Sequence, residues 1–291
     1  MNWPLFFAFL SPIIFAFMNV IDTYIVKKRV KHVFGFAVVS GITNILFGII
    51  LALFLNWNSY SLLDFRFSIL AGSMFGIQLY FYYFILAKHD VSHAVGLIYV
   101  YPIIVAFLSY LFLNEKLSIL GYSGVFITLC GIILMSIRLK KLKMSIAFWS
   151  LGISILTIAF SEFFIKVATN QLPQWHGTAI NSMVMGIFIL PALLNKSIRK
   201  GFKKEFKNIR FTFISEALTL GAIVTLYLAM SGLSATIVSV ISATQPLFVL
   251  IFESAAFYAG IKISRDLQWK NKAIAIILVV IGIVILYLNA L

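Results

Sequence analysis

The sequence predicts an all-α membrane protein of ten transmembrane helices, built as two five-helix units of opposite topology. Three observations predict it. Hydrophobic residues make up 62% of the chain and charged residues 11%, against about 45–50% and about 25% in soluble domains. Mean hydropathy is +1.04, and no soluble fold has interior enough to hide that much apolar surface. The apolar residues also fall into ten runs of the length that crosses a bilayer, roughly 20 residues for a hydrocarbon core of about 30 Å. Finally, one pattern occurs twice. Ser92–Arg138 reads as a helix with central Pro102, a polar turn at Asn114-Glu115-Lys116, and a helix carrying Gly121, Gly124 and Gly131. Thr236–Leu288 reads as a helix with central Pro246, a polar turn, and a helix carrying Gly282.

The ten runs are about 4–26, 33–55, 67–87, 92–113, 117–137, 145–168, 175–195, 211–231, 234–259 and 273–290. They leave no room for a sizeable soluble domain. The first run is too long for a cleavable signal peptide and lacks its basic start and small-residue cleavage site. The one cysteine, Cys130, lies within a span. An intramolecular disulfide is therefore excluded, and metal-ligand spacing is absent.

A formal charge of +14 raises the question of nucleic acid, but the placement of the charge argues against it. Twenty of the 23 Lys and Arg fall in odd-numbered loops, at Lys27–Lys31, Lys88, Arg138–Lys143, Lys196–Arg210 and Lys262–Lys272. Even-numbered loops hold only Arg66 and Lys116, and Lys166 lies inside a span. Cationic loops stay on the cytoplasmic side, so both termini are expected outside a cytoplasmic (plasma) membrane. The odd loops also suit anionic lipid headgroups. No nucleic-acid partner is expected.

Span 1 begins at Pro4, a first-turn position that suits proline, and is broken by Asn19, Asp22 and Thr23. A carboxylate facing lipid costs roughly 2.5–3.5 kcal/mol on insertion scales. Asp22 either snorkels to the Lys27–Lys31 loop and pairs there, or serves as a substrate- or proton-coupled carboxylate. Span 2 carries Ser40, Gly41, Asn44 and Gly48, small residues that let helices approach closely. Span 3 is ringed by aromatics. Gln78 and Tyr82 share one face and Tyr80 and Phe84 another, and Tyr83 lies between them. Such rings either pack or form a wall for a cation. Span 4 starts near His93 and brings Tyr99 and Tyr101 up to Pro102. A mid-span proline kinks a helix, which is tolerated where neighbours or a cavity satisfy the freed carbonyl.

Span 6 holds Ser161, Glu162 and Lys166 in an apolar run. Glu162 and Lys166 stand at i, i+4 and share a face. They form either a self-satisfied ion pair or a site in which Glu162 meets a substrate amine or a proton, with Lys166 as counter-ion. Buried ion pairs seldom add stability, so intramembrane charges point to function. Span 7 begins with His176, Asn181 and Ser182, and the stretch Lys196–Arg210 reads as a basic amphipathic segment on the inner leaflet. Glu216 of span 8 is expected to pair with a lysine of that loop. Span 9 clusters Ser234, Thr236, Ser239, Ser242, Thr244 and Gln245 before Pro246. Ser239, Ser242 and Pro246 share a helix face.

A shift of about 144 residues places Pro102 on Pro246, in spans 4 and 9. Five spans is an odd number, so the second copy must enter the membrane inverted, as in alternating-access transporters. The units are 1–143 and 144–291. The chain resembles the EamA-like branch of the drug/metabolite transporter superfamily, over nearly its whole length. The best match is Ala87–Ser136, with Pro102, Asn-Glu-Lys-Leu-Ser at 114–118, Gly124 and Gly131. The family's usual wording at that turn is Gly-Glu-x-Leu, so Asn114 departs from it. The second copy reads Gly260-Ile-Lys-Ile-Ser and lacks the glutamate. The resemblance implies a ten-helix 5+5 inverted repeat with a central cavity carrying small metabolites. Members of the family usually place both termini in the cytoplasm, and the loop charges here argue the reverse.

The leading expectation is a secondary transporter of a small polar or cationic metabolite, of amino-acid or amine type. Its cavity would be lined by spans 1, 3, 4, 6, 8 and 9, with Glu162 neutralising the substrate or exchanging a coupling proton. Asn19, Asp22, Gln78, Tyr80, Tyr83, Tyr99, Lys166, Ser239, Ser242 and Gln245 complete the candidate site, and Pro102 and Pro246 would act as hinges. A flippase for a lipid-linked or lipid-phosphate substrate is the alternative, with the inner-surface basic loops and Lys166 handling phosphate. An enzyme would need a nucleophile–base set or a metal cluster, whereas His93, His176, Asp90 and Glu115 are scattered singly. A non-transporting scaffold would not need the mid-span charges. No Walker motif is present, so neither ATP nor any cofactor is expected.

Overall fold

The computed structural model describes residues 2–88, 96–136, 146–260 and 269–290. His93, Asp90, the loop cations Arg138–Lys143, Lys262 and Arg265, and the proposed boundary at 143 lie outside them. The described part of every expected span falls largely on helix. They are α1 (Trp3–Lys28), α2 (Val33–Leu53), α3 (Arg66–Lys88), a 3-10 turn (Gly96–Val100) leading to α4 (Pro102–Phe112), and α5 (Ile119–Ser136). The second half follows with α6 (Ile146–Ala168), α7 (Gln174–Ile189), α8 (Lys196–Glu205), α9 (Ile209–Met230), α10 (Ala235–Ser242), α11 (Gln245–Tyr258) and α12 (Trp269–Ala290). Among the described residues six stretches are long and apolar enough to cross a membrane, and three shorter apolar helices accompany them. No strand occurs among the described residues. Large apolar side chains stud the outside, Ile119 at 91% exposed and Phe126 at 70% among them. In water that surface would be a liability; in lipid it is the solvated face. The chain is a multi-pass integral membrane protein.

Local chemistry sets the helix ends. Asn2 accepts from the Leu5 N–H, Pro4 sits in the first turn, and Lys27 and Lys28 meet the negative end of α1. The Glu205 carboxyl accepts from the N–H groups of Lys31 (2.9 Å) and His32 (3.0 Å), tying α8 to the α1–α2 turn. Asn195 caps α8 through the Ser197 N–H at 2.9 Å. Lys196, Arg199, Lys200, Lys203, Lys204, Lys207 and Arg210 are all exposed, while Ile198, Gly201 and Glu205 of the same segment are buried. Asn114 has φ of 52° and Gly260 a φ of 81°, so each ends its helix in the left-handed region that Gly and Asn tolerate. The Asn114 departure from the family's glycine is thereby explained.

Spans 4 and 9 were expected as single kinked helices. Each is broken instead. Pro102 and Pro246 open new helices, α4 and α11, because a first-turn proline needs no N–H partner, whereas mid-helix its ring would strike a carbonyl. The breaks fall at Tyr101 and at Ala243-Thr244.

The helices pair in a pattern that maps onto itself when the halves are exchanged. Span 1 packs on span 8 and span 3 on span 6; span 2 packs on span 7, span 4 on span 9 and span 5 on span 10. Ser11 donates to the Ala222 carbonyl at 3.0 Å across the first pairing, and Ser161 to the Ala71 carbonyl at 2.9 Å across the second. Close backbone approach requires glycine where α2 meets α7 and where α5 meets α12. A Cβ on Gly186 would lie 2.2 Å from the Gly41 carbonyl oxygen, and one on Gly124 2.9 Å from the Gly282 oxygen.

Candidate functional site

The helix breaks and four long helices enclose a cavity of about 750 Å³ of empty space, counting its open mouth. Residues from spans 1, 3, 4, 6, 8 and 9 line it, all six that were expected to do so, and Met185 of α7 joins them. α1 contributes Asn19 and Asp22 on one face, α3 contributes Gln78 and Tyr82, and the unwound stretch before α4 contributes Tyr99 and Tyr101. α6 presents Glu162 and α9 presents Glu216 and Thr219, while Ser242 and Gln245 flank the span 9 break. Phe15, Met18, Phe75, Leu79 and Ile158 fill the walls between.

Three carboxyl groups therefore share one cavity, and no Lys, Arg or His is among its described lining residues. Their surroundings differ. Glu162 is 3% exposed; its Oε1 accepts from the Tyr101 hydroxyl at 2.6 Å, and its Oε2 is buried with no hydrogen-bond partner among the described residues. Tyr101, itself 1% exposed, also donates to the Ser239 carbonyl at 3.3 Å. It thus links Glu162 to α10, at a carbonyl that also accepts the Ala243 N–H at 2.9 Å. Glu216 accepts from the Ser40 hydroxyl on one oxygen and from Asn44 Nδ2 at 2.7 Å on the other. Asp22 accepts from the Ser215 hydroxyl at 2.5 Å. All these donors are neutral. Tyr82 donates to Asn19 Oδ1 at 3.2 Å.

Seven of the eleven candidate binding residues thus come together: Glu162, Asn19, Asp22, Gln78, Tyr99, Ser242 and Gln245. Four do not line the cavity. Lys166 does not pair with Glu162. Its ammonium donates to the carbonyls of Met230 (2.8 Å) and Leu233 (2.7 Å) and stands 3.7 Å from Glu115. Glu115 in turn accepts from the Ala235 N–H at 2.8 Å, at the start of α10. The i, i+4 spacing allowed a pair, but the long lysine side chain reaches the unsatisfied carbonyls at the end of α9 instead. Tyr80 stacks on Phe34 at 5.2 Å. Tyr83 is fully buried, with its ring edge-on to Phe36 and its hydroxyl 3.5 Å from Ser40. Ser239 turns its hydroxyl back onto the Thr236 carbonyl at 3.0 Å, and the break in span 9 ends the face it was expected to share with Pro246.

Glu216 was expected to meet the basic loop and does not, and of the two readings left open for Asp22 the structure does not show the loop pairing. Asp22 is 2% exposed and bonded to Ser215, and Glu216 is held by Ser40 and Asn44 rather than by a lysine. Tyr101 and Tyr82 take places that helix-face reasoning gave to Tyr83 and Tyr80. The signal for Tyr101 was its position beside Pro102. His176 lies away from the cavity, its Nε2 2.8 Å from the Asn56 carbonyl and its ring against Trp57 and Tyr60.

A solved structure, titled only as the crystal structure of a protein, matches this fold with a TM-score of 0.69 and 14% identity, over 99% of this chain and 98% of that one. No curated protein matches. The model of the EamA-like transporter family matches twice, at residues 2–137 and 145–288. The chain belongs to the EamA-like transporter family.

Proposed function

We propose that the chain is a secondary transporter of small organic cations of amine type, working by alternating access across the cytoplasmic membrane. One observation carries the reading: three buried carboxyls line one cavity, and none of its described lining residues is basic. A carboxylate in a low-dielectric site favours a cation strongly over an anion or a neutral solute. Tyr82, Tyr99 and Tyr101 add rings on which an ammonium group rests favourably. Transport itself follows from the family.

The units 1–143 and 144–291 would be the two five-helix repeats of opposite topology, an arrangement supported by the paired helix contacts and by the left-handed turns after spans 4 and 9. The cavity sits toward the half of the membrane that holds the basic loops, since Asp22 lies near the end of α1 and Glu216 near the start of α9. The opposite face is tied shut by Lys166, Glu115 and the α9–α10 turn. With basic loops inside, the cavity opens to the cytoplasm, both termini lie outside, and the cations of Lys196–Arg210 face anionic headgroups. The flippase reading keeps its basic loops but not Lys166, whose ammonium is held by Met230, Leu233 and Glu115.

The test is ligand-dependent thermal stabilisation of the purified protein. The panel holds primary and quaternary amines, amino acids, nucleosides and polyprenyl phosphates. A ligand specific for the folded state stabilises by about 2.7 kcal/mol at 100 times its dissociation constant. Amines should raise the melting temperature. Stabilisation by polyprenyl phosphates alone would overturn the reading.

A further inference from the structure

The acidic groups of the cavity do not form one cluster. Tyr101 binds Glu162 directly and ties it to α10. Asp22 accepts from Ser215, the sequence neighbour of Glu216, and Glu216 accepts from Ser40 and Asn44 of α2, so these two carboxyls stand together on the side bounded by α1, α2 and α9. The lining residues include Phe15, Met18, Phe75, Leu79, Ile158 and Ile223, side chains that offer no hydrogen bond. The cavity therefore has two acidic ends and apolar walls. Among the described lining residues nothing basic answers either end.

We propose that the cavity takes an elongated organic dication, one ammonium group at the free oxygen of Glu162, an aliphatic middle along the apolar walls, and a second ammonium group at Asp22 and Glu216. The proposal rests on reading the cavity as a cation site and narrows its substrate class. Two features point to a ligand at the Glu162 end independently of the acidic cluster. Its Oε2 is buried without a partner among the described residues, and the tyrosine that positions it bonds the other oxygen. At the far end the donors to Asp22 and Glu216 are hydroxyls and an amide, which hold the carboxyls in place without neutralising them. A monocation answers one end and leaves the other uncompensated, which is costly in a buried site. A molecule with positive charge at both ends answers both. An amino acid does not, since its carboxylate would meet carboxyls.

The experiment is calorimetric binding of butylamine, putrescine and cadaverine to the purified full chain, with melting temperatures recorded for each variant. Wild type should bind a diamine at least about tenfold more tightly than butylamine, a gap of about 1.4 kcal/mol. In Glu162→Gln and in Asp22→Asn that advantage should vanish, each variant binding the diamine about as it binds butylamine. Glu216→Gln is the second route to the far end should Asp22→Asn fold poorly. Asp64→Asn, in an exposed loop, should keep the full advantage. Equal affinities for butylamine and diamines in wild type would overturn the dication while leaving the cation reading intact. A diamine advantage that survives both Glu162→Gln and Asp22→Asn would overturn the two-ended site. Binding of no amine at all would overturn both readings.

Discussion

Replacing Lys166 with Met separates a structural lysine from a substrate-binding one. The ammonium makes two short hydrogen bonds, to Met230 and Leu233, and one looser ion pair at 3.7 Å with Glu115. Hydrogen bonds to charged groups contribute about 1.5–3 kcal/mol each, and a partly exposed ion pair about 0–1 kcal/mol. Both side chains of the pair are 15% exposed, so water recovers part of the loss once lysine is gone, and the methionine stem keeps most of the packing. The net cost should be about 2–4 kcal/mol. Equilibrium unfolding in denaturant, read by tryptophan fluorescence, gives the stability, and amine binding is measured on the same sample. Lys166→Met should lose stability and keep its amine affinity. Unchanged stability would refute the accounting. Lost binding with intact stability would put Lys166 back in the site.

Four further outcomes follow. Gly186→Ala should destabilise by at least about 1–3 kcal/mol, because its Cβ would lie 2.2 Å from a backbone oxygen of α2 that no rotamer change can move; thermal unfolding checks this. Tyr101→Phe should weaken amine binding through Glu162, which loses its one hydrogen-bond donor, with binding calorimetry as the readout. Asp64 accepts from the Ser61 N–H and hydroxyl, which hold its carboxyl below the ordinary range; a lowered carboxyl stabilises the turn above that range and releases it as the pH falls through the lower value. The protection of the Ser61 amide from hydrogen exchange, relative to its intrinsic rate at each pH, should therefore fall at low pH in wild type and show no such step in Asp64→Ala. A phosphatase reporter fused to the C-terminus should be active if the basic loops are cytoplasmic, and an inactive reporter would reverse the orientation.

The ten helical stretches were legible because spanning a bilayer is a matter of length and composition, both local properties. The turns at Asn114 and Gly260 were legible as turns for the same reason. The prolines located the helix breaks but did not tell a break from a kink, since that depends on whether neighbouring groups take the freed hydrogen bonds. Glu162 stood out because a carboxyl in an apolar run is costly wherever it faces. Its partner did not. Lys166 is one turn away in sequence, yet its ammonium finds Met230, Leu233 and Glu115, partners brought near only by helix packing. Glu216 was misjudged likewise: its approach to α2 depends on the packing of span 2 against spans 7 and 8, through glycines whose contacts are long-range.

The central claim is that a carboxyl in this cavity selects cations, and amine affinity in wild type against Glu162→Gln tests it most directly. Removing one partner of a buried charge pair costs about 3–5 kcal/mol, so Glu162→Gln should bind putrescine at least about 100-fold more weakly. Its melting temperature without ligand should hold or rise, because the variant removes a buried carboxyl with an unpartnered oxygen. Equal putrescine affinity in the two proteins, both folded, would contradict the account.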